Sequence, residues 1–179
     1  VLRLEPDYPE GRRRLAALLL AQGELAEARK LLRQEARAWR ASPAEFDPVD
    51  LDELGRLLLD ARLPREAVRV FGAITEHKAE DAALWHNLAF ARFQMGDRAG
   101  GVDAERNSLR LDPTCVAALH NMALASIQDR AWARARCYLR LAQRLDRDDH
   151  ALRRLALTYR LLRAMESLRR GFGFRSDRR

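Results

Sequence analysis

The chain has 179 residues, of which 47% are hydrophobic and 33% charged, enough apolar material for one domain with a real core and enough charge for a soluble surface. Its net charge of +7 is almost wholly arginine, since Lys30 and Lys78 are the only lysines, and the 26 acids are interleaved with the arginines rather than segregated from them. Two cysteines, Cys115 and Cys137, make no disulfide framework, and the longest apolar run, Leu15 to Ala21, falls far short of a membrane span.

In chain order, apolar residues recur three and four apart, which is helical periodicity, and Gly or Pro interrupts them at Gly23, Pro48, Pro64, Gly96 and Pro113. The spacing predicts helix pairs over 9–22 and 25–41, 48–61 and 64–78, 82–95 and 98–111, and 116–129 and 132–146. A final helix is expected over 149–169, followed by a flexible basic tail over 171–179. The one irregularity is an insertion around Ser42-Pro-Ala-Glu-Phe46. Helix-forming Ala, Leu, Arg and Glu dominate, so the fold class is all-α.

The pairs are copies of one unit. Ala82-Ala-Leu-Trp-His-Asn-Leu-Ala89 returns as Val116-Ala-Ala-Leu-His-Asn-Met-Ala123, an offset of 34 residues. The same offset backwards puts Leu51, Leu54 and Gly55 in the places of Trp85, Leu88 and Ala89, with Ala67 and Phe71 following. Pro9 opens a further copy with Leu15, Ala16, Ala28 and Leu32, and Leu152, Leu155, Ala156 and Tyr159 begin one more. Such a unit cannot bury its apolar stripe alone, so each hairpin needs its neighbour. The small residues Ala16, Gly55, Ala89 and Ala123 are expected where helices approach closely, and Trp39, Trp85 and Trp132 in or between the packed layers.

Trp85, Leu88, Ala89, Gly96-Asp97 and Leu109-Arg-Leu-Asp-Pro113 resemble the tetratricopeptide repeat, and the resemblance runs over about 2–169. It implies a right-handed superhelical solenoid of stacked antiparallel helix pairs, a single repeat domain over 1–170 with repeats at about 9–42, 48–81, 82–115 and 116–148 and a capping helix at 149–169. The cap's outer face is expected to be charged, through Arg153, Arg160, Arg163 and Arg169. The sequence departs from the pattern at Arg92, in place of a large residue, and at Gly101, which with Gly100 should weaken its helix by roughly 1 kcal/mol per glycine.

The resemblance also implies a concave groove lined by the first helix of each pair. One column of expected groove residues is Arg13, Asp52, His86, His120 and Arg153; a second is Arg14, Glu53, Asn87, Asn121 and Arg154; Arg56, Phe90 and Leu124 lie just beyond. The groove would thus have basic ends, a carboxylate pair near the second unit and a His/Asn centre. Stacked asparagines resemble the ladder of the O-GlcNAc transferase repeats, and Asn121 with Arg154 resembles part of the carboxylate clamp of heat-shock co-chaperones, although His86 and Phe90 stand where the clamp has Lys and Asn.

No His-Glu-x-x-His, phosphate-cradling glycine loop, Cys-x-x-Cys or Gly-x-Ser-x-Gly is present, so the reading is of a non-enzyme without metal or cofactor. The expected function is a scaffold that binds a partner peptide or helix in the groove. Its basic ends favour an acidic ligand or a free C-terminal carboxylate, and nucleic acid is not the expected partner. The alternative is a non-catalytic domain of a larger enzyme or assembly factor. The absence of a visible signal peptide favours the cytoplasm, while Val1 in place of Met suggests an excised piece.

Overall fold

A computed structural model describes the backbone of residues 9–176 and the side chains of residues 10–169. The described residues form helices and connecting turns, with no strand among them. They group into two compact units that divide after Leu111.

The first unit holds three antiparallel hairpins: α1 (Pro9–Gln22) with α2 (Leu25–Ala41), α3 (Pro48–Asp60) with α4 (Pro64–His77), and α5 (Ala82–Met95) with α6 (Arg98–Leu111). Proline opens α1, α3 and α4, where its missing N–H costs nothing and its fixed φ suits the first turn. Asp47 caps α3 by accepting from the N–H groups of Val49 and Asp50, and Asp81 caps α5 through those of Ala83 and Leu84. Hairpins pack in sequence, α4 against α5 and α1 against α3, around a core of Leu32, Leu54, Leu58, Val70 and Phe71. The insertion forms a 3-10 turn over Pro43–Glu45 and drops Phe46 into that core.

Two close approaches need glycine. A Cβ on Gly55 would lie 2.5 Å from Cζ of Phe71, and one on Gly101 would lie 2.6 Å from the ring of Phe93. The roles are exchanged between neighbouring hairpins: the aromatic ring comes from the return helix α4 in one and from the first helix α5 in the next. Gly101 therefore does more than weaken α6, because its bare backbone is what seats Phe93. Arg92, the other departure, reaches along the hairpin and donates to the carbonyl of Gly100 at 3.0 Å.

Each hairpin turns through one residue in the left-handed region, at the equivalent place in every copy: Gly23, Arg62, Gly96 and, in the second unit, Arg130.

The second unit holds α7 (Val116–Gln128), α8 (Trp132–Leu145) and α9 (His150–Ser176). Its core joins Ala123, Ile127, Ala135, Leu139, Leu155, Ala156 and Tyr159. Trp132 meets Tyr159 edge-on with centroids 6.0 Å apart, and its indole N–H donates to Glu166 at 2.7 Å, fastening α8 to α9. The helix α9 runs to Ser176, so the flexible tail expected from residue 171 is helical through 176, and 177–179 lie outside the described residues. Arg153, Arg160, Arg163 and Arg169 of α9 are exposed, and apolar side chains share its solvent-facing surface with them. Leu157, Leu161, Met165 and Leu168 are all more than half exposed and fall four, four and three apart, so they form an apolar stripe on the side away from Leu152, Leu155 and Tyr159.

Candidate functional site

In the first unit the expected groove residues separate into two groups. Arg13 is not a groove cation: it is only 3% exposed, and its guanidinium holds Glu35 at 3.2 Å, Glu53 at 3.1 Å and Asp50. It ties α1 to both α2 and α3. Glu35 is fully buried and takes Arg12 as well, at 3.1 Å. Burial pushes the Glu35 carboxyl above the usual range for a glutamate, and the charges of Arg12 and Arg13 oppose that rise without cancelling it.

His86 is likewise drawn inward. Its Nδ1 lies 3.0 and 3.2 Å from the two oxygens of Glu105, a fully buried carboxylate on α6. Sequence reading passed over both buried acids, yet each left a sign. Glu105 stands where Phe71 stands in the preceding copy, and Glu35 stands where Ile74 does. An acid at a packed position needs a cation or donor beside it.

What stays accessible in this unit is an array on adjacent first helices. Asp52 of α3 forms an ion pair with Arg56 at 3.3 Å and accepts, at a long 3.4 Å, from the amide of Asn87 on α5. Phe90, one turn beyond, is exposed. Glu53 keeps an outer edge while holding Arg13, and Arg14 is exposed and paired with Glu10 on its own helix.

In the second unit His120 and Asn121 of α7 are half-buried and Leu124 is exposed. Asp149 caps α9 by accepting from the N–H groups of Ala151 and Leu152. The bond from Leu152 holds its carboxyl below the usual range, helped by that from Ala151 and by the charges of His120 and His150. Arg153 folds back onto Asp148 at 2.6 Å and the carbonyl of Arg147, whereas the side chain of Arg154 stands exposed. Cys115, at the start of α7, and Cys137, on α8, are free thiols. Among the described residues no three His, Cys, Asp or Glu converge as a metal site, and no helix is long and apolar enough to cross a membrane.

Solved structures match this chain of paired helices. It superposes on YrrB, described as a tetratricopeptide-repeat protein with an unusual peptide-binding site, with a TM-score of 0.67 at 14% identity over 84% of this chain and 75% of that one. The fold is that of the tetratricopeptide repeat. MamA of Desulfovibrio magneticus RS-1, from residue 41 to its end, gives a TM-score of 0.66 at 18% identity over 83% of this chain and 81% of that one. Pseudomonas aeruginosa PilF gives 0.67 at 18% identity, covering 99% of this chain and 78% of that one. A scan of protein-family models and a search of curated proteins both find no match. The expected all-α architecture of paired repeats is thus the one the chain has, and within each tetratricopeptide hairpin the groove expectation rests on the first helix.

Proposed function

We propose that the chain is a protein-interaction module that holds a peptide or helix of another protein on the face of its first helices. The array of Asp52, Arg56 and Asn87 beside exposed Phe90 supports this reading. It sets a carboxylate, a guanidinium and an amide next to an apolar ring, the mixture that meets a peptide's backbone and one of its side chains together. In the second unit Asn121, Leu124 and Arg154 offer an amide, an apolar side chain and a guanidinium, without the carboxylate. Arg154, an exposed cation on the first helix α9, favours an acidic segment or a free C-terminal carboxylate, which a guanidinium grips with two parallel hydrogen bonds.

The test is a double change, Asn87→Ala with Asn121→Ala, scored by capture of partner from an extract of the source cells. Capture should weaken, and added salt should weaken it further. Stability should move by no more than about 0.5 kcal/mol, as for most substitutions outside a core. Unchanged capture by the double variant would remove these asparagines from the site.

One observation favours a second reading, that of a non-catalytic domain of a larger enzyme or assembly factor. The apolar outer stripe of α9 is the kind of surface that a further domain covers.

A further inference from the structure

The return helices of the first unit carry a feature that the groove does not use. Between α2 and α4 lies a cavity of about 370 Å3 lined by Arg33, Arg37, Arg40, Arg69, Glu66 and Trp39. The three arginines of α2 stand four and three apart, which puts them on one side of that helix, and Arg69 and Glu66 face them from α4. Four guanidinium groups thus share a cleft with one carboxylate.

That carboxylate does little to satisfy them. Arg33 Nε lies 3.7 Å from Glu66, beyond good hydrogen-bond length. Arg40 spends one N–H on the carbonyl of Ala36 at 3.3 Å. Arg37 and Arg69 have no partner among the described residues. The indole of Trp39 is also without one, whereas those of Trp85 and Trp132 donate to Ala79 and Glu166. The cleft is therefore a cage of unused donors around an excess of positive charge, and such an arrangement draws an anion.

We infer that this cavity binds a phosphate monoester or free phosphate as the dianion. A single carboxylate returns only one of the three uncompensated charges. A phosphoryl group returns roughly −1.5 to −2 and brings three strong acceptor oxygens. Planar guanidinium forks match those oxygens in pairs. A nucleic-acid backbone fits less well, because each of its diester phosphates carries one charge and the cavity holds a single aromatic ring for stacking.

The experiment follows the indole N–H resonances of the isotopically labelled chain at about pH 7.5, above the second phosphate ionisation near ~6. Inorganic phosphate and O-phosphoserine are titrated separately at constant ionic strength in chloride, with acetate and a short oligothymidine as comparisons. Trp39 should shift saturably with the phosphates while Trp85 and Trp132 stay still. Tighter binding of O-phosphoserine identifies a phosphorylated side chain as the source, and tighter binding of phosphate identifies the free ion. Changing Arg37→Gln and Arg69→Gln, both exposed, should weaken binding about ten-fold or more with the unfolding midpoint unchanged, since each removes a charge-assisted pair. The inference is overturned if Trp39 does not respond, if acetate or oligothymidine binds as well as phosphate, or if the double variant binds like the parent.

Discussion

Alanine in place of Gly55, inside α3, would by helix propensity alone add roughly 1 kcal/mol of stability. The ring of Phe71 reverses that sum, because a new Cβ would stand 2.5 Å from its Cζ. Gly55→Ala should therefore destabilise the protein by about 1–3 kcal/mol, the usual cost of overpacking a tight core. Pairing it with Phe71→Leu should recover part of the loss, and urea unfolding of the two singles and the double would give the coupling. Additive losses would mean that the ring moves aside freely.

Glu35 governs a pH effect whose sign follows from its raised carboxyl. The folded chain holds this proton more firmly than the unfolded one, whose ordinary value is 4.5. Its favourable contribution is fully present below 4.5 and is lost as pH rises through the raised folded value. The stability of the parent minus that of a Glu35→Gln variant should accordingly fall as pH is raised from about 4 towards neutrality. Unfolding curves across that range check it, and a difference that rises with pH would mean that Arg12 and Arg13 outweigh burial. The same cluster explains why Arg13 was read as a groove cation. The repeat pattern fixes which helix face a residue occupies, but a buried acid on the next helix decides whether its head reaches solvent.

Helix boundaries were legible to within one or two residues from α1 to α8, because proline openings or aspartate caps mark the starts of α1, α3, α4 and α5 and apolar spacing bounds the other helices. The turns were legible where glycine marks them, at Gly23 and Gly96. At Arg62 and Arg130 the same left-handed backbone is occupied by a residue that pays strain for it, and composition carries no trace of that. The end of α9 differs from the expected 169, since the helix continues to Ser176. This helix covers the apolar side of α8 through Leu155, Ala156 and Tyr159. Removing 149–179 should strip that cover from Leu139 and Ala135, lower the melting temperature and raise binding of a hydrophobic dye. A truncated chain that melts like the parent would show that α7 and α8 need no cap.

Over the whole molecule the repeat was readable because it is written several times, so no single degenerate copy had to be trusted. The arginine cleft between α2 and α4 was not, since the same arginines scattered along the sequence read as ordinary solvated charge until two helices bring them together. The outer stripe of α9 bears on how copies of the chain behave towards one another in solution. With a net charge of +7 they repel at low ionic strength. At physiological salt the repulsion reaches only about 8 Å, and the contact between exposed leucines is not screened at all. The osmotic second virial coefficient should therefore fall, and turn negative, as salt is added, the reverse of the trend for a surface dominated by attraction between unlike charges. Light scattering over a salt series would register it, and Leu161→Glu, which interrupts the stripe at its middle, should hold the coefficient positive.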